Sequence, residues 1–95
     1  MGMHRVGEHK AKKGLIRIEF DDENGIAEHV KITGDFFMHP EEAVHELEQK
    51  LEGHKIDELE HLIDEFFAMR LDVEMPYVNV EDFKIALKKA LKGSS

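Results

Sequence analysis

Cysteine is absent from the 95 residues, which removes disulfides, thiolate metal sites, iron–sulfur ligation and cysteine nucleophiles together. Hydroxyl side chains on serine and threonine are nearly as scarce: Thr33 sits in an alternating stretch, and Ser94 and Ser95 stand at the C-terminal end. No serine or threonine is therefore placed as an activated nucleophile. No apolar run approaches the ~20 residues that span a bilayer, and the N-terminus is basic and polar rather than a secretory signal. The expectation is a soluble, cytoplasmic protein. P-loop, GxGxxG and nucleophile-elbow patterns are missing as well, so no recognisable active site stands in the chain. Asn, Gln and Cys are rare beside abundant Glu and Lys, a drift seen in heat-adapted proteins.

What is present is charge, unevenly placed. The net value is −8. Residues 1–17 hold Arg5, Lys10, Lys12, Lys13 and Arg17 against Glu8 alone, net +4, and the remainder holds 8 basic against 20 acidic residues, net −12. An acidic body repels nucleic-acid backbones and anionic membranes, so neither is expected as a partner. The basic arm, residues 1–12, either stays a solvated terminus or meets a phosphate or an acidic partner surface. The length fits one domain over 1–95, which buries roughly 60 to 65% of its unfolded surface.

Gly14 to Phe20 alternates, with Ile16, Ile18 and Phe20 on one side and Leu15, Arg17 and Glu19 on the other: a strand with one wet face. Asp21 to Gly25 then turns the chain, Asn24-Gly25 supplying the positive φ of a short hairpin connection. The return strand runs from Ile26 to Thr33 with Val30 and Ile32 inward, and Glu28 breaks the pattern. Arg5 to Lys12 alternates poorly; if it pairs, it adds a third, edge strand.

Three helices follow within 40–92. The first opens at Pro40 with Glu41 and Glu42 in its first turn, carries Val44, Leu47 and Leu51, and ends near Glu52 with Gly53 as its cap. Asp57 caps the second, with Glu60 three residues on and Leu59, Leu62, Ile63, Phe66 and Phe67 at helical spacing. An extended connector containing Pro76 lays Val73, Met75 or Tyr77 across the core. Asn79 caps the third helix, whose apolar side is Val80, Phe83, Leu87, Ala90 and Leu91. The architecture is α+β: a hairpin at 14–34, or a three-stranded antiparallel sheet, with three helices on one face.

Seven histidines invite a metal reading. The best spacing is Asp57, His61 and Glu65 along one face of the second helix, but such pairs are ordinary solvated helix charges, and His45 with Glu41 reads the same way. No metal site is assigned. Asp21 to Gly25 lacks the alternating acids and distal glutamate of a calcium loop. A small histidine-based metal protein and a free-standing interaction module remain as competing classes.

The distinctive stretch is Gly34-Asp35-Phe36-Phe37, a corner between the hairpin and the first helix. Neighbouring side chains on extended backbone point to opposite sides, so both rings cannot easily enter one core. Either a kink buries both, or one ring and the Asp35 carboxylate face a partner. Gly34 is expected where positive φ or close backbone approach is needed, and Asp35 is expected to accept hydrogen bonds from the amides that follow.

Lys13-Gly14-Leu15-Ile16-Arg17-Ile18, Asn24-Gly25-Ile26, Val30-Lys31-Ile32-Thr33-Gly34-Asp35-Phe36-Phe37, Pro40-Glu41 and Leu47 to Gly53 together resemble the small C-terminal domain of lipoate–protein ligases. The likeness covers roughly residues 10–65 and rests on order and spacing as much as on identity. That domain exists in some organisms as a separate accessory subunit, and a chain opening with its own methionine resembles that form. The resemblance implies a non-catalytic subunit that joins a catalytic subunit for ATP-dependent activation of lipoate to lipoyl-AMP. It implies no cofactor on this chain alone, lipoate, ATP and magnesium in the complex, and lipoyl acceptor domains as indirect partners. It also implies a fold similar to the SufE and NifU sulfur-transfer proteins, whose cysteine chemistry cannot apply here. Gly34, Asp35, Phe36, Phe37, Lys12 and Lys13 are the partner-binding residues expected on this reading.

Overall fold

Strand alternation and two tight turns build the sheet. A computed structural model describes residues 2–92, so Ser94 and Ser95 lie outside the described residues. Strands β1 (Met3–Ala11), β2 (Gly14–Glu23) and β3 (Ile26–Asp35) pair antiparallel in that order, followed by helices α1 (Glu42–Leu51), α2 (Leu59–Met69) and α3 (Val80–Lys92). α1 lies against β3, α3 against β1 and β2, and α2 joins the two helices. Ile16, Ile18 and Phe20 from β2 are fully buried with Leu47, Ile63 and Phe83 from the helices. Each such side chain contributes ~1.5–3 kcal/mol on burial.

The acidic stretch expected as a loop is strand. β2 continues through Glu23, and Asn24 and Gly25 alone make the turn, at φ +54° and +86°. Both positive values suit the twist of a two-residue hairpin. Asp22 anchors the turn by accepting the Gly25 N–H at 2.9 Å and the Arg5 Nε–H at 2.9 Å. The break at Glu28 has a cause: the β2–β3 register slips between Glu19 and Asp21, and His29 takes φ +56°. That bulge absorbs the odd spacing between the inward residues Ala27 and Val30.

The basic arm is strand β1. Its inner face carries almost no core side chain because α3 lies directly on it: a Cβ on Gly7 would strike the Ala86 carbonyl and the Ala90 backbone. Two polar groups clamp the ends of that helix. His9 Nε2 is 2.9 Å from Asp82 Oδ1 at the N-terminal end, and Arg5 donates to the Leu91 carbonyl at 3.1 Å at the C-terminal end. A cation at the latter position also suits the helix dipole. The other face of the sheet is wet and ion-paired. Arg17 reaches Glu8 at 2.8 Å and Glu19 at 3.3 Å, while His4 bridges Asp21 at 2.8 Å and Glu19 at 3.0 Å.

Helix ends depart from expectation in two places. α1 begins at Glu42, past Pro40, and Gly53, at φ +79°, donates its N–H at 2.8 Å to Ala27 of β3 rather than closing the helix. Asp57 does not cap α2: it lies in a 3-10 turn, Ile56–Glu58, and Glu58 precedes the helix without a side-chain cap bond. Asn79 does cap α3, its Oδ1 accepting from Asp82 N–H at 3.0 Å while Asp82 accepts from Asn79 N–H at 2.9 Å. Among the described residues no helix is long and apolar enough to cross a membrane.

Candidate functional site

Extended backbone through Phe36 and Phe37 sends the two rings apart. Phe36 turns inward and meets Phe83 edge-on, centroids 5.4 Å apart at 86°. Phe37 turns outward and is 67% exposed. Gly34 lies at φ +141°, and a Cβ there would strike the Leu15 carbonyl, so the corner needs glycine for both conformation and space. Asp35 departs from expectation: among the described residues its carboxylate has no hydrogen-bond partner, and the following chain takes its order from elsewhere.

That order comes from the connector before α3. His39 N–H donates to the Glu74 carbonyl at 2.8 Å, and Glu74 N–H returns to the His39 carbonyl at 2.7 Å. This two-way bridge ties the corner to the connector and sets Tyr77 beside Phe37, ring centroids 5.9 Å apart. Tyr77 was expected among residues crossing the core. It is 45% exposed instead, because its neighbour Val78 takes the inward position and extended chain alternates. The adjacency of Tyr77 and Val78 after Pro76 is the sequence signal of that alternation.

Lys12 and Lys13 form the turn between β1 and β2, where Ala11 pairs with Gly14. Lys13 Nζ stands 5.5 Å from the Tyr77 ring centroid, within cation–π reach. Neither lysine makes an ion pair among the described residues. The tertiary structure thus gathers Lys13, Tyr77 and Phe37 into one exposed corner, with Gly34 and Phe36 beneath it. On its far side Phe36, Phe37, Met38 and Val44 line an open groove of about 370 Å³.

Two other places were candidates. His61 Nε2 lies 3.3 Å from Glu65, whose other oxygen takes Lys50 at 2.9 Å, while His45 faces Glu48 rather than Glu41. No group of three metal-ligating side chains converges among the described residues. A larger recess, about 410 Å³, sits at the opposite end of the sheet between Asn24-Gly25 and Lys55–Asp57. It is walled by closed backbone and carries no aromatic ring, so its size does not make it the better site.

The comparisons with known proteins agree with one another. The family model of the bacterial lipoate protein ligase C-terminus matches residues 3–87. A relative described as Lipoate-protein ligase A subunit 2, from Thermoplasma acidophilum, is 40% identical over 79 residues, which is 83% of this chain and 82% of the relative. A solved chain from work on an archaeal lipoylation system of the same organism, a bi-partite lipoate protein ligase and its E2 lipoyl domain, matches with a TM-score of 0.83. That match has 39% identity and covers 92% of this chain and 97% of the other.

Proposed function

Since the chain belongs to the family of the bacterial lipoate protein ligase C-terminus, we propose that it is the accessory subunit of a two-component lipoate–protein ligase. With the catalytic subunit it serves ATP-dependent activation of lipoate to lipoyl-AMP, and lipoyl acceptor domains are met through that complex. The observation that carries this reading is the 40% identity, across four fifths of both chains, to a protein named as the second subunit of such a ligase.

The residues fit an assisting role. An exposed ring, Phe37, stands beside an open groove whose lining mixes Phe36, Met38 and Val44 with Thr33 and Glu41. On this reading lipoate, ATP and magnesium belong to the complex with the catalytic subunit. This chain's contribution is positional: it packs against its partner, keeps water from the adenylation site and holds mobile loops in the reactive arrangement. Gly34, Asp35, Phe36, Phe37, Lys12 and Lys13 are the contact residues on this reading.

The test is lipoyl-AMP formation by the purified catalytic subunit with and without this chain. Adenylation rises when the chain is added. Equal rates in both mixtures remove the proposal.

A further inference from the structure

Folding closes the outer edge of β3 for most of its length and then stops. Glu52 accepts the His29 and Val30 N–H groups at 2.8 Å each, and Glu48 accepts the Ile32 N–H at 2.7 Å. Strand geometry repeats every second residue, so the next amide on that edge belongs to Gly34. Among the described residues no side chain accepts from it, and the backbone bonds that close this edge fall at residues 25–27 instead. A groove that mixes Phe36, Phe37, Met38 and Val44 with Thr33 and Glu41 opens at this same place.

A free amide at the end of a strand edge, beside a groove with aromatic and aliphatic side chains, is what an extended peptide segment recognises by strand addition. The charges state what kind of segment. Lys12 and Lys13, like several other surface lysines, have no carboxylate partner among the described residues; what distinguishes them is their place, adjacent in the β1–β2 turn with Lys13 over the exposed Tyr77 ring. Unpaired cations on a chain of net charge −8 complement carboxylates brought by a partner.

We infer that the catalytic subunit seats an extended apolar segment along Gly34, Phe37 and Tyr77, with an acidic end against Lys12 and Lys13. This rests on the accessory-subunit reading and adds the mode and chemistry of the contact. Tyr77 becomes a partner-binding residue, and the Gly34 amide its backbone donor.

The experiment titrates the purified catalytic subunit with wild-type chain and variants, and follows amide exchange in the complex. Phe37→Ala with Tyr77→Ala weakens association by about tenfold or more. Lys12→Glu with Lys13→Glu does the same and lessens the salt dependence, without touching any packed residue. Met69→Ala with Leu71→Ala, removing exposed apolar groups elsewhere, binds as wild type. Exchange at Gly34 slows in the complex. Wild-type affinity in both corner variants, or unchanged exchange at Gly34, overturns the inference while adenylation still responds to the chain. A wild-type chain that neither binds nor stimulates strikes the accessory-subunit reading instead. A dimer of this chain alone that Phe37→Ala dissolves would give the corner to a second copy, and the inference would again be overturned.

Discussion

The two ends of β3 differ in how far folding satisfies them. At the hairpin end, Ala27 exchanges backbone bonds with Gly53 and His54, Ile56 donates to the Gly25 carbonyl at 2.8 Å, and Glu52 takes the amides of the bulge. At the corner end, Gly34 has no such acceptor among the described residues, and the ring of Phe37 stays 67% exposed against another exposed ring. An open strand edge invites pairing with other chains, and here the outer edge of β3 is sealed as far as Ile32, short of Gly34. The closed half contributes stability. On the proposal above, the partner meets the open end.

Substituting the glycines at the two ends of β3, Gly25 just before it and Gly34 near its close, breaks this comparison most sharply. Gly34→Ala places a Cβ on the Leu15 carbonyl in a backbone region that suits only glycine, and should cost about 3 kcal/mol in urea unfolding. Gly25→Ala meets open space and carries only the conformational penalty, about 1 kcal/mol. Equal costs would mean that the corner is no more constrained than a free turn.

The carboxylate seal is tested next. Glu52→Ala leaves two amides without their acceptor and should lower stability by about 1–2 kcal/mol, with faster hydrogen exchange at His29 and Val30. Phe37→Ala, in contrast, should move stability by less than about 0.5 kcal/mol, since so much of the ring is already in water. A large loss there would show Phe37 to be part of the folded core.

The smallest effect concerns the wet face of the sheet. Hydrogen bonds to Asp21 and then to Glu19 raise the His4 pKa above its ordinary value, and the His4 bond holds Asp21 below the usual carboxylate range. Burial pushes Glu19 upward, but bonds from Arg17 and His4 outweigh it and its pKa falls. The raised His4 contributes stability fully below about pH 6.5 and loses it as pH climbs through its folded value; the lowered acids contribute above about pH 4 and lose it as pH drops through theirs. His29, 3.0 Å from Asp21, shares that carboxylate. His4→Ala should therefore destabilise more at about pH 5.5 than at about pH 8.5, by a small margin because these groups are exposed. An equal effect at both values would place His4 outside the ion-paired network.

Local patterns made much of this molecule legible. Period-two alternation placed Ile16, Ile18 and Phe20 on the buried face, Asn24-Gly25 marked the hairpin, Asn79 marked a helix start, and the helical stripes named Leu47, Ile63 and Phe83. β1 was harder to read because Arg5, Gly7 and His9 face a helix some eighty residues away, where a close approach favours a small residue and two clamps over apolar alternation. Asp57 failed as a cap because a 3-10 turn intervenes, a choice made by the pairing of this segment with β3.

At the corner, adjacency left two readings, a kink that buries both rings or divergence of Phe36 and Phe37, and the structure shows the divergence that alternating side chains give. Which ring turned outward, and that Tyr77 and Lys13 would join it, depended on the His39–Glu74 bridge and on the β1–β2 turn reaching the same end of the sheet. The sequence by itself determined the β2–β3 hairpin, the three helices and the absence of cysteine chemistry. Only the tertiary structure decided which half of the β3 edge is sealed, because Glu48 and Glu52 reach it from a helix whose position is set by the packing of the whole core.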